Sequence, residues 1–437
     1  MRNFSKVFVL FLVLNHSFLV FSQRTQKLTI QQMFELADSC SRSIKTFSLA
    51  GQEAEQAIQV AKNALLPSID VSLSASYLGD AWLADRNFSN GERAPMPHFG
   101  NNFAIEASQI IYAGGAILGQ IEMAKLQYQM AQLQKENNKQ DIRFLLVGNY
   151  LEIYKLRNQL EVYYQNREQT RKLLDEIIAR QAEGVALKND ITRYELQLQS
   201  LELAITQIEN SITILNHQLT IVLGLPEDTS IETDPSLLEQ LPLLSAEIEW
   251  QETAIATSPL IKQARLGIEQ SLTHEKIVRA GRLPSIALIA GDHLDGPITF
   301  EVPPIDRNIN YWYVGVGVKF NLASTFKSGK EIKQSKLSTR RAKETELLVQ
   351  DNVRTEVKEA YTRFKEAFII YDTRLKSMEL AHQNYKVVNN RYLNELALLT
   401  DMLDASNSKL SAELQVVNAQ INILFNFYKL KRVTGNL

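Results

Sequence analysis

The stretch Gln181–Gly224 occurs twice in this chain. Shifted by 211 positions, it falls on Tyr392–Gly435 without a gap. The coincident residues are Ala186/Ala397, Leu187/Leu398, Asp190/Asp401, Ser200/Ser411, Glu202/Glu413, Leu203/Leu414, Ile212/Ile423, Leu219/Leu430, Val222/Val433 and Gly224/Gly435. Arg180/Arg391 extends the match upstream. A second anchor, Leu66-Pro67-Ser68-Ile69, recurs as Leu283-Pro284-Ser285-Ile286 with an offset of 217. A chain of 437 residues has room for two or three ordinary domains. The duplication predicts instead one unit of about 200 residues used twice. We divide the chain into a signal (1–22), a first repeat (23–225), a connector (226–258) and a second repeat (259–437).

Within each repeat the hydrophobic period changes in order. Thr29–Leu65 reads as a helix capped by Thr29 and ended by Pro67. Val71, Leu73, Ala75 and Tyr77 then alternate with serines, which is a strand. Gly79–Gly100 reads as a long loop, Phe103–Ile111 as a second strand, and Gly114-Gly115 closes it. Ala116–Arg180 holds no proline and predicts one helix of about 65 residues, about 97 Å long. Glu183–Lys188 is a tight turn. Ile191, Tyr194, Leu198, Leu201, Ile205, Ile208, Ile212, Leu215, Leu219 and Val222 follow at alternating spacings of three and four, a coiled-coil seam. Gly224 and Pro226 stop it.

The connector is rich in acids and proline, with a short helix around Ser245–Thr257. The second repeat reads as helix Pro259–Arg282, strands Ile286–Ala290 and Tyr311–Leu322 around the loop Leu294–Asn310, long helix Lys327–Arg391 and return helix Ala397–Val433.

Four strands with one apolar face cannot close a barrel alone, because their edges stay unpaired. Their length and their small polar second face match transmembrane β-strands, and three chains would supply twelve. The other reading is a small soluble sheet packed on the helices. The hairpins likewise present seams wider than one partner covers. A ring enclosing a lumen, a closed bundle or a rod would each satisfy them. The fold class predicted is mainly α with transmembrane β.

Composition narrows the function. A net charge of −2 provides no basic field for nucleic acid. Arg2 and Lys6, the apolar run Val7–Val20 and the small-residue site Val20-Phe21-Ser22 form a secretory signal, leaving Gln23 first. A retained anchor is the rival, but the run is shorter than the ~20 residues a spanning helix needs. Cys40, the one cysteine, excludes an intrachain disulfide and is expected to be buried. No nucleophile motif, phosphate-cradling loop or metal-ligand spacing occurs, so we expect no catalytic residues, cofactor or metal.

The order helix–strand–loop–strand–long helix–tip–helix, written twice behind a signal, resembles the TolC family of outer-membrane efflux channels. The resemblance covers roughly Leu28–Gly435. Its carriers are the two Leu-Pro-Ser-Ile anchors, Tyr112-Ala113-Gly114-Gly115, Gly184-Val185-Ala186-Leu187 and Thr400-Asp401-Met402-Leu403-Asp404-Ala405. It implies a homotrimer, a twelve-stranded barrel in outer-membrane lipid and an α-helical periplasmic tunnel. It further implies a passive exit duct served by a periplasmic adaptor protein and an inner-membrane pump. An exported coiled-coil scaffold or adhesin without a pore is the alternative.

Asp401 and Asp404, three residues apart, share a helix face. By themselves they read first as a helix-start acid pair favoured by the helix dipole. The resemblance makes them acidic rings at a periplasmic gate, joined by Asp190 and Tyr392. The family's gate arginine falls on Ala397, so this chain lacks it; Arg391 and Arg193 are the candidate substitutes. The turns Gly184, Val185, Ala186, Leu187 and Leu396, Ala397, Leu398 are small or apolar, which predicts a docking partner. The resemblance makes that partner the adaptor. Glu395 stands where the first tip has Gly184.

Overall fold

In a computed structural model, residues 24–234, 236, 241–301, 303–394 and 396–437 are described. The signal sequence and Glu395 lie outside them. The chain divides into two compact units that cut across the repeats: residues 24–46, 138–258 and 354–437, and residues 47–137 and 259–353.

The second of these units holds a four-stranded antiparallel sheet of β2 (Ser68–Tyr77), β5 (Phe99–Tyr112), β7 (Ser285–Gly296) and β8 (Ile309–Lys319), in the order β2-β5-β7-β8. Each repeat supplies one antiparallel pair, and β5 against β7 joins the repeats. Both strands β2 and β7 begin at the serine of a Leu-Pro-Ser-Ile anchor. Proline there ends the preceding helix and donates nothing, so pairing starts one residue later. On one face of the sheet, Ile69, Val71, Leu73, Val314, Val316 and Val318 are exposed, Leu73 by 77%. The other face carries Ser68, Asp70, Ser72, Ser74 and Ser76 on β2. The edges of β2 and β8 are open.

Two readings of this unit need correction. Strand β7 runs six residues beyond the predicted Ala290, because His293 and Asp295 belong to the polar face and carry no apolar signal. The predicted loop Gly79–Gly100 contains a hairpin of β3 (Ala81–Leu83) and β4 (Glu92–Ala94). Gly114 and Gly115 adopt φ of +63° and +89°. A Cβ at Gly114 would stand 2.8 Å from the Ala280 carbonyl oxygen, so only glycine makes this turn.

The first unit is helical. It contains α1 (Ile30–Cys40), α4 (Lys188–Leu223), α5 (Glu247–Thr257) and α8 (Leu399–Thr434). The long helices α3 (Ala116–Ala182) and α7 (Leu322–Leu393), each about 100 Å at 1.5 Å per residue, pass from one unit into the other. Helices α2 (Arg42–Lys62) and α6 (Pro259–Ala280) complete the set. Every residue of the predicted seam on α4 is buried or half-buried.

The predicted helix Thr29–Leu65 is broken at Ser41, whose extended backbone (ψ 122°) ends α1. Its carbonyl accepts the Lys45 N–H at 3.0 Å and starts α2. The apolar period runs through this break, which hides it. The connector also contains a strand, β6 (Thr229–Thr233), parallel to β1 (Arg24–Leu28). Asn216 mimics a strand there: Nδ2 donates to the Thr229 carbonyl at 2.7 Å and Oδ1 accepts the Ile231 N–H at 2.8 Å. Tyr150, fully buried, donates to the Leu28 carbonyl at 2.6 Å and ties β1 to α3. Cys40 is exposed rather than buried. Its Cβ lies against Gly224, the left-handed end of α4.

Candidate functional site

Each hairpin tip is made by local backbone chemistry. At the first, the Val185 N–H donates to the Arg180 carbonyl at 3.0 Å; at the second, the Leu396 N–H donates to the Arg391 carbonyl at 2.8 Å. Gly184 has φ +81° and open space beside it. After each turn the chain is extended, so alternate residues point opposite ways. Val185 (63% exposed) and Leu187 (70%) face solvent, as do Leu396 (67%) and Leu398 (70%). Ala186 packs against the core between its two exposed neighbours, and Ala397 is half-buried.

Leu187 and Leu398 are the N-cap residues of α4 and α8. Ser, Thr, Asp and Asn are favoured at that position because they accept an orphan N–H. Leucine accepts nothing. The third helical residue supplies the reciprocal half of a capping box: Asp190 Oδ2 accepts the Leu187 N–H, and Asp401 Oδ2 accepts the Leu398 N–H, both at 3.1 Å. The repeated aspartate therefore has a structural role in each copy. Asp404 is exposed and lines a shallow groove between α7 and α8 with Ser377, Ala381, Asn407 and Ser408.

Behind the tips, Leu174, Ile177, Tyr194 and Leu399 form a core against which Ile191, Leu198, Tyr392 and Leu403 pack. Tyr194 is 2% exposed and its hydroxyl has no hydrogen-bond partner. Burial pushes its phenol far above the usual range, and the neighbouring Tyr392, Tyr385, Glu176 and Asp190 push the same way. Burial also raises Tyr392; Arg180 opposes this, while Asp190 and Glu176 add to it. Asp190 and Tyr392 thus share one electrostatic neighbourhood.

The arginine in it is Arg180, whose guanidinium sits 5.6 Å from the Tyr392 ring centroid and pairs with Glu176 at 3.2 Å. The two suggested substitutes have other surroundings. Arg391 donates to the Leu396 carbonyl at 3.2 Å, and Arg193 is exposed. The signals that could have found the missed residues were present: Arg180 extends the repeat, and Tyr194 is a seam residue. Among the described residues no group of metal-ligating side chains is assembled, and no helix is long and apolar enough to cross a membrane.

Comparison with known proteins extends this picture. Residues 35–225, from α1 to the end of the first return helix, match the family described as "Outer membrane efflux protein". The chain is 21% identical over 388 residues to the outer membrane efflux protein BepC of Brucella suis, covering 88% of this chain and 80% of that protein. In fold it is similar to the outer membrane protein VceC of Vibrio cholerae (TM-score 0.76, 16% identity, 93% of this chain and 96% of that chain). It is also similar to the open-state MtrE outer membrane channel of Neisseria gonorrhoeae (TM-score 0.72, 16% identity, 93% and 88%).

Proposed function

We infer that this chain, a TolC-like member of the outer membrane efflux protein family, is the outer-membrane exit channel of an efflux system and works as a homotrimer. The observation that carries the trimer is the sheet. It has an exposed apolar face, a polar face and two open edges. Two further copies would pair every edge, turn the apolar face to lipid and leave the polar face lining a lumen. Helix α4 points the same way. Outside its buried seam, Leu196, Leu203, Ile214 and Ile221 form a second stripe that is exposed in one chain. A scaffold without a pore would leave the sheet's apolar face uncovered.

In this reading the two repeats, 23–225 and 259–437, contribute equivalent hairpins, with 226–258 as a connector between them. The duct is passive; an inner-membrane pump supplies the energy through a periplasmic adaptor. The adaptor seats on Val185, Leu187, Leu396 and Leu398. Leucine at an N-cap forgoes about 1 kcal/mol of capping, which fits a side chain retained for contact with a partner. Gly184, Ala186 and Ala397 set the shape of that surface. Asp401 and Asp404 form the acidic gate, and Asp190, Tyr392 and Arg180 brace it. Like charges gathered round an opening select cations.

The test is planar-bilayer conductance of the detergent-purified protein beside an Asp401→Asn, Asp404→Asn variant. A small cation-selective conductance that loses selectivity in the variant is expected. Conductance indifferent to the variant would keep the channel and remove this gate. Protein that stays soluble without detergent and conducts nothing would overturn the channel.

A further inference from the structure

The polar face of the sheet is not uniform. Reading across β2, β5, β7 and β8, three successive rows are Asp70–Glu106–Gly291–Tyr313, Ser72–Ala104–His293–Tyr311 and Ser74–Asn102–Asp295–Ile309. The β7 and β8 end of these rows carries an aromatic stack. The His293 ring lies nearly parallel to Tyr311 (5.0 Å, 5°) and to Tyr313 (5.9 Å, 18°). Gly291 makes room for it: a Cβ there would stand 2.8 Å from Cε1 and Cζ of Tyr313. The Tyr311 hydroxyl donates to Asp295 Oδ2 at 3.2 Å, and Asn102 donates to the other oxygen, which fixes the stack.

Beside the stack stands Glu106, with Oε1 3.6 Å from His293 Nε2. Asp70 lies directly across from Glu106 on β2. Opposed like charges destabilise a strand pair, and a cation between them removes that cost. In the next row the neighbours of Asp70 and Glu106 are Ser72 and Ala104, of which Ala104 is buried; the groups left open are the two carboxylates and the outer parts of the Tyr311 and Tyr313 rings. The lysine of this face, Lys319, is three rows further along β8.

We propose that this patch is a binding site for flat organic cations, with the aromatic body against Tyr311, His293 and Tyr313 and the charge at Glu106 and Asp70. The proposal rests on the channel reading above, because it takes this face as the lumen wall. Aromatic surface and carboxylate together hold a desolvated cation better than either alone. An anion of the same shape meets two like charges. The site would make the wall a selective element independent of the helical gate.

The experiment uses the full-length protein in planar bilayers, with ethidium as a planar aromatic cation and a naphthalenesulfonate as an anion of similar shape. Ethidium should interrupt the current in resolvable blocks, and naphthalenesulfonate should not. Glu106→Gln and Tyr313→Leu should each shorten the ethidium dwell time about tenfold while the unblocked conductance stays the same. If Glu106→Gln gives no channel, Asp70→Asn on the edge strand serves the same comparison. Dwell times equal in wild type and variants, or equal block by the anion, would overturn the site and leave the channel standing. No conductance from the wild type would overturn both.

Discussion

At the first hairpin tip Asp190 caps the Leu187 N–H, and at the second Asp401 caps the Leu398 N–H at the same 3.1 Å. Both return helices also end alike, at Gly224 (φ +66°) and Gly435 (φ +80°). Around this shared frame the copies diverge. Three residues past the capping aspartate, the first copy has Arg193 and the second Asp404. The next position is Tyr194 in one and Ala405 in the other, both buried. The capping aspartate and the terminal glycine are repeated because both return helices start and end alike, and core residues such as Leu219 and Leu430 are repeated with them. Gly184, left-handed at the first tip, is not repeated, and neither are the residues just past the cap. One tip therefore starts its helix with Asp190 and Arg193, the other with two carboxylates.

The comparison can be broken most sharply at the buried position. Tyr194→Ala should cost about 3 kcal/mol, the usual loss for a large core side chain. Thermal unfolding followed by the helical circular-dichroism signal would measure it. An unchanged midpoint would mean that the tip core does not depend on the first copy's tyrosine. Next in size are the charge exchanges. Asp404→Arg, which copies the first tip, should lower the cation-to-anion permeability ratio about tenfold. Arg193→Asp, which copies the second, should raise it by less. Equal and opposite shifts would show that both tips face the opening equally.

Smaller effects test the shared frame. Leu187→Ser and Leu398→Ser should each stabilise the protein by about 1 kcal/mol, since serine accepts an N–H that leucine cannot. On the docking surface proposed above, the same changes should weaken capture by an adaptor. A gain in stability without lost binding would remove the leucines from the docking surface. The smallest effect is expected of Tyr194→Phe. It removes a buried hydroxyl with no partner, so stability should rise by at most about 1 kcal/mol. A fall would show that the hydroxyl has a partner after all.

The sequence alone determined what depends on neighbours along the chain. Alternating spacings of three and four fix which stripe of α4 is buried, because each helical turn repeats the same geometry. The period of two identifies the strands for the same reason. Gly114, Gly184, Gly224 and Gly435 announce left-handed backbone that other residues avoid. The order of such elements also carried the resemblance to outer-membrane efflux channels.

Only the tertiary structure decided the partners. Arg180, rather than Arg391 or Arg193, stands over Tyr392 because helix rotation brings it there. Strand β5 meets β7 across more than 170 residues, and β1 meets β6, which gave no apolar alternation to read. The same packing exposes Cys40 and sets the His293 ring against two tyrosines. A sequence period specifies which face an element buries. Which residue lies opposite depends on register and rotation between elements far apart in the chain, and those are fixed only when the elements pack.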